Sequence, residues 1–114
     1  MAIFAPGNKP VWESEGAQTN PTASQVMADT GALAEGLYDI RVICGATAAG
    51  SWVINRRNAA NGADVGDQPV IYTAANTSQW VQVTMSLEAG ERVRVTSGGL
   101  TGSASALITA EPLL

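Results

Sequence analysis

The sequence contains no histidine and a single cysteine, Cys44. The lack of histidine removes the commonest general base, the histidine-activated nucleophiles and the commonest transition-metal ligand. A single cysteine can form neither an internal disulfide nor a cysteine-rich zinc site. Because Cys44 lies in an apolar run, we interpret it as a buried, unreactive thiol. We therefore expect no catalytic residue, no cofactor and no enzymatic activity.

Charge is also scarce: charged residues make up 14% of the chain, its net charge is −4, and its longest basic run is Arg56-Arg57. Broad binding to nucleic acid is disfavoured, because neutralising phosphates requires a basic face. The sequence has no apolar run approaching the roughly twenty residues of a membrane span, and its amino terminus lacks the pattern of a signal peptide. These features predict a protein made in the cytoplasm, without nucleic-acid or membrane partners.

The chain has 114 residues, which is enough for one domain. Its commonest hydrophobic residue is alanine, which buries little area compared with leucine, isoleucine or phenylalanine. A small domain with so thin a core gains little stability from burial alone. We therefore expect an oligomer or a subunit docked on another protein.

Residues 1–30 differ in texture from the rest, because proline, glycine and polar residues separate a few large apolar ones. This pattern predicts an extended N-terminal arm over residues 1–30 and a folded domain over residues 31–114. The arm carries Phe4, Val11 and Trp12, which cannot form a core by themselves. They pack either on the protein's own sheet or on a neighbour, and the sequence leaves both possibilities open.

From Gly36 onward, short runs with apolar residues at alternate positions are separated by turns rich in glycine and asparagine. The predicted strands are 37–44, 51–58, 68–74, 78–87, 91–97 and 102–112. No segment has a sustained helical period. The sequence therefore predicts an all-β fold, a small jelly-roll-like β-sandwich that follows the extended arm. The three-residue break Glu88-Ala89-Gly90 further predicts that the strands on either side of it form a hairpin.

Three groups of residues could be taken for chemical sites. The stretch Ser97–Ser103 is glycine-rich but lacks the lysine of a phosphate-binding loop, so we interpret it as a turn. Asp64 and Asp67 lack the spacing of a calcium loop, and Glu88 with Glu91 flanks a turn, where carboxylates are exposed and ionised. We therefore expect no metal site and no catalytic carboxylate pair.

The remaining candidates are contact residues. Arg56 and Arg57 are adjacent on a strand and must point to opposite faces. Either they lie at a solvated strand end or they pair with groups across a subunit contact, and we favour the contact. Trp12, Trp52 and Trp80 fit core or interface positions better than a sugar-stacking ladder. The predicted interface residues are Phe4, Val11, Trp12, Arg56 and Arg57.

Four stretches resemble the capsid decoration, or cement, proteins of tailed bacteriophages. They are Gly36–Val42 (GLYDIRV), Arg56–Asn61 (RRNAAN), Leu87–Val95 (LEAGERVRV) and Gly102–Ala110 (GSASALITA). The resemblance covers roughly residues 22–114 and implies a homotrimer of jelly-roll-like protomers on the exterior of a virion capsid. It also implies that terminal arms clamp the major capsid protein, and it carries over no active site. The alternative is a tail-tip or fibre module that recognises a cell-surface carbohydrate.

Overall fold

The computed structural model describes residues 11–13, 18–66 and 68–113. This part of the chain is all β, with no helix. Its strands are β1 (Val11–Glu13), β2 (Gln18–Thr19), β3 (Ala23–Asp29), β4 (Gly36–Ala46), β5 (Gly50–Arg57), β6 (Val70–Thr73), β7 (Thr77–Leu87), β8 (Arg92–Gly98) and β9 (Ser103–Pro112). Each strand predicted from alternation is present, with ends shifted by no more than two residues.

The strands form two antiparallel sheets. Sheet A has the order β1-β9-β4-β7, and β2 also pairs with β9; sheet B has the order β3-β8-β5-β6. β4 lies inside sheet A and pairs with β7 over all of its 11 residues, from Gly36↔Leu87 to Ala46↔Thr77. The two sheets enclose one core, which confirms the predicted jelly-roll-like sandwich.

The core follows from the period of two along each strand. On β4, alternate residues from Tyr38 to Ala46 are buried, whereas Arg41 and Ile43 are exposed on the outer face. On β5, Trp52 and Ile54 are fully buried and face the same cluster. Trp52 is the largest side chain with no exposed surface, and it sits among many small ones, because sheet A contributes Ala104, Ala106 and Ala110 to this cluster.

The predicted boundary at residue 30 is too late in the chain. β3 is an edge strand of sheet B, and its residues Met27 and Ala28 have no exposed surface. Its alternation is hidden in the sequence because its register with β8 shifts twice, between Ala23 and Val26 and again between Val26 and Ala28. Residues 18–30 therefore belong to the sandwich. The rest of the predicted arm, residues 1–10 and 14–17, lies outside the described residues.

The expected hairpin of β7 and β8 is wrong. β7 pairs with β4 in sheet A, whereas β8 pairs with β3 and β5 in sheet B, so the connection between them crosses from one sheet to the other. Gly90 makes this crossing with φ +87° and donates its N–H to the carbonyl of Leu33 at 2.8 Å. A positive φ of this kind suits glycine, which has no Cβ to clash.

Candidate functional site

The structure places the predicted interface residues in three different settings. Phe4 lies outside the described residues. Val11 and Trp12 belong to β1, which pairs with β9 through Val11↔Ala110 and Trp12↔Thr109, and their side chains are also outside the description. Arg56 and Arg57 end β5 and point to opposite faces of sheet B, as their adjacency predicts. β1, which carries Val11 and Trp12, is in sheet A, whereas β5, which carries Arg56 and Arg57, is in sheet B.

Arg56 points inward and holds a buried carboxylate. Its Nη2 and Nε donate to Oε1 of Glu91 at 2.7 and 3.1 Å, and the backbone N–H of Glu88 donates to the same oxygen. Glu91 is buried, which corrects the expectation of an exposed side chain. Desolvation raises the pKa of Glu91. The Glu88 N–H and the Arg56 guanidinium lower it by a larger amount, so the pKa lies below its ordinary value. The carboxylate is ionised and anchors the crossing between the sheets.

Arg57 points outward and organises the loop that follows it. Its Nη1 donates to Oδ1 of Asp64 at 2.8 Å, and its Nη2 donates to the carbonyl of Asn61 at 2.8 Å. Asp64 is thus engaged in an ion pair, and Asp67 lies outside the described residues. Among residues 11–13, 18–66 and 68–113, no three acidic or cysteine side chains cluster as metal ligands would. Both arginines therefore have their partners within the chain.

Cys44 faces the core and has 2% of its surface exposed. Burial raises the pKa of its thiol to about 12, because the thiolate would lose its hydration. A thiol of this kind is a poor nucleophile at neutral pH, since the reactive species is the thiolate. The prediction that Cys44 is buried is confirmed.

The outer face of sheet A carries an apolar row that crosses three adjacent strands. Trp80 on β7, Ile43 on β4 and Leu107 on β9 are register partners, and we call them the Trp80 row. Trp80 is 53% exposed. Ile43 is 44% exposed, although its strand β4 is flanked by β7 and β9. The guanidinium carbon of Arg41 lies 5.9 Å from the centroid of the Trp80 ring, which is within the range of a cation–π contact.

A second apolar surface lies on the outer face of sheet B. Val70 and Tyr72 alternate with the buried Ile71 and Thr73 on β6, the edge strand that begins just after Pro69. Tyr72 is 76% exposed, the largest exposed fraction among the large hydrophobic side chains described. We call Val70 and Tyr72 the β6 pair. The molecule therefore presents apolar groups on both of its broad faces, which is a feature of surfaces that contact partners.

A cleft lies between β7 and the loop after β5. It has a volume of about 320 Å³ and is lined by Arg56, Val65, Gly66, Pro69 and the β7 residues from Val83 to Ser86. Its walls are mostly apolar, and the charge of its one ionic residue, Arg56, is taken by Glu91. These lining residues include no carboxylate and no cysteine, and their hydroxyl groups are those of Thr84 and Ser86. The cleft can accept an apolar group.

Sequence reasoning missed Tyr72 and Leu107 and wrongly took Glu91 as exposed, although strand parity marks all three. Glu91 has the same parity as the buried Val93 and Val95, which places it on the inward face. Tyr72 has the opposite parity to the buried Ile71. Leu107 has the same parity as the polar Ser105 and Thr109, so it is an apolar residue on a polar strand face.

Comparisons with known proteins define the fold. No family model matches the sequence, and neither does any curated protein. The globular domain of zebrafish complement 1qA protein superposes with a TM-score of 0.61 at 10% identity, covering 92% of this chain and 95% of that chain. Eiger TNF from S. frugiperda gives 0.58 at 16% identity, covering 92% of each. The carbohydrate-binding module CBM6cm-2 from Cellvibrio mixtus lichenase 5A, in complex with cellotriose, gives 0.53 at 15% identity, covering 90% and 85%.

These likenesses place the chain in the class of jelly-roll-like β-sandwiches, an architecture that a carbohydrate-binding module shares. Within the described residues, no helix is long and apolar enough to cross a membrane. The geometry offers apolar contact surfaces and a cleft, and its buried ion pair supports the fold.

Proposed function

We propose that the protein is a structural virion protein that binds the outer surface of a phage capsid and stabilises its lattice. The observation that carries the proposal is the β6 pair. Tyr72 and Val70 are exposed although β6 is regularly paired with β5, so their exposure does not come from an irregular strand. An aromatic side chain with few rotatable bonds is a common anchor in protein interfaces. The resemblance of four sequence stretches to capsid decoration proteins supports the same function.

Stabilisation follows from mass action. A protein that binds only the assembled lattice raises the free energy needed to take that lattice apart, and many copies add their contributions. The predicted arm residues Phe4, Val11 and Trp12 would supply a further contact with the major capsid protein. Such a role needs neither a cofactor nor a catalytic residue, and the scarcity of charge suits a surface that another protein covers.

Purified particles of the phage that encodes this chain are expected to carry hundreds of copies. Quantitative mass spectrometry against the major capsid protein measures that number. Tyr72→Ala is expected to weaken binding to stripped capsids by at least about 10-fold, as loss of an aromatic anchor does. Thr101→Ala, at an exposed loop position, is the matched control and is expected to bind normally. A handful of copies per particle, or none, would contradict capsid decoration.

A tail-tip or fibre module that binds carbohydrate is the second candidate. Trp80 favours it, because an exposed indole beside the polar Gln82 and Ser78 is a surface on which a pyranose ring can stack. The likeness to a module in complex with cellotriose supports the same function.

Tryptophan fluorescence with cellotriose as the probe separates the two candidates. Capsid decoration predicts no saturable quenching, since Trp80 would have no sugar to bind. Saturable quenching that disappears in Trp80→Ala and persists in Tyr72→Ala would favour the carbohydrate module and count against decoration.

A further inference from the structure

The Trp80 row has the composition of an interface centre. Its three apolar side chains lie in one line across β7, β4 and β9, and polar residues lie beside it on the same face: Arg41, Ser78, Gln82, Ser105 and Thr109. An apolar centre with a polar rim is the usual anatomy of a protein contact. Aliphatic Ile43 and Leu107 extend the row beyond the single ring that sugar stacking requires.

The strand that carries Trp80 is itself uncovered. β7 is the edge of sheet A, and no strand in the described part of the chain pairs with its outer side. It is 11 residues long and contains neither a charged residue nor a proline, the two kinds of residue that keep free edges from pairing. Its inward residues Val81, Val83 and Met85 are only partly buried. This margin of the molecule therefore has the properties of a surface that is covered in the working assembly.

The charges on this face are self-complementary. Arg41 is exposed; its Nε forms an ion pair with Asp39 at 2.9 Å, and its guanidinium carbon lies 5.9 Å from the centroid of the Trp80 ring. Glu111 lies on the same face, at the position paired with Asp39 across β4 and β9, and its side chain has no ion pair or hydrogen bond with another described residue. A second copy of the chain brings a carboxylate for the free Nη groups of Arg41 and an arginine for Glu111.

We propose that the outer face of sheet A is a self-association surface, in which the Trp80 row of one copy packs against another copy and Arg41 pairs with Glu111 between them. The occupant is this chain itself, because the apolar centre is charge-free and the two charges at its margin match each other. Self-association also buries apolar side chains that the small, alanine-rich core leaves exposed to solvent. With Trp80 occupied in this way, the β6 pair on the opposite face stays free for a different partner.

The inference does not depend on capsid binding. Light scattering of the full chain measures its mass. We expect a mass at least twice the 11.7 kDa of one chain. Trp80→Ala is expected to weaken self-association by at least about 30-fold, the effect of losing a tryptophan at the centre of an interface. Tyr72→Ala, on the other face, is the matched control and is expected to leave the mass unchanged.

Exchanging the charges of Arg41 and Glu111 tests whether a second copy of this chain covers the surface. Glu111→Arg places a second cation beside Arg41 of the next copy and is expected to yield monomers, whereas the double variant R41E/E111R is expected to restore the multimer. Circular dichroism shows that each variant retains its sheets, which separates dissociation from unfolding. A monomeric wild type, or a multimer indifferent to Trp80→Ala and Glu111→Arg, would overturn the inference. A multimer that responds as expected but is absent from particles would leave it standing while contradicting the proposed function.

Discussion

Replacing Trp52 by alanine is expected to lower the free energy of unfolding by about 3–5 kcal/mol. Trp52 has no exposed surface and joins both sheets in one core, where alanine residues of sheet A cannot expand to fill the space that it leaves. Its Nε1 also donates to Oγ1 of the buried Thr73 at 3.1 Å, and the substitution leaves that hydroxyl without its donor. A domain of this size has about 5–15 kcal/mol in total, so the variant is close to unfolding.

Urea unfolding followed by circular dichroism measures the effect. Trp52→Phe keeps much of the buried area and loses the hydrogen bond, so its expected cost is smaller than that of alanine. Tyr72→Ala is the control for removing an aromatic side chain, and because that residue is exposed, its expected change is within about 0.5 kcal/mol. A loss below about 1 kcal/mol for Trp52→Ala would mean that the sheets do not close on this residue.

Arg56→Met is expected to cost about 2–3 kcal/mol at pH 7. The substitution leaves the buried carboxylate of Glu91 without its cation, and breaking such a pair from one side is strongly destabilising. Arg56 keeps a quarter of its side chain exposed, so the cost stays below that of a fully buried pair. The crossing from β7 to β8 is the segment that loses its anchor, because Glu91 also accepts from the Glu88 N–H.

The cost of Arg56→Met is expected to depend on pH in one direction. The pKa of Glu91 is lower in the folded protein than in the unfolded chain, so its stabilisation is complete above about pH 4.5 and is lost as pH falls through the folded pKa. The difference between wild type and Arg56→Met should therefore be larger at pH 7 than at pH 3. Urea unfolding at several pH values measures it. An equal difference at pH 3 and pH 7 would assign the loss to packing rather than to charge, and Arg56→Lys should retain part of the pH dependence.

Most strands are readable from the sequence, because a strand with one buried face must alternate. Val81, Val83, Met85 and Leu87 identify β7 without any knowledge of its neighbours. The same local rule places Arg56 and Arg57 on opposite faces and predicts that Cys44 is buried. In each case the deciding interaction lies within a few residues along the chain.

Pairing is different, because it depends on residues far away in sequence. The alternation of β7 and β8 is the same whether they are neighbours in one sheet or face each other across the core. Their four-residue connection looks like a hairpin turn, yet Gly90 and Glu91 carry it to the other sheet through contacts with Leu33 and Arg56. β3 was missed for a related reason, since its bulges interrupt the alternation that would identify it.

The candidate surfaces likewise have features that the sequence determines and features that only the tertiary structure decides. The sequence by itself determined an all-β chain with an alanine-rich core, without histidine and with few charges, and this made binding a better prediction than catalysis. Only the tertiary structure decided that Trp80, Ile43 and Leu107 form one row, because they are 27 or more positions apart in the chain and meet through strand register. It also decided that Arg56 serves Glu91 within the chain. Composition and local period are properties of neighbouring residues, whereas a surface is made by residues that only the pairing of distant strands brings together.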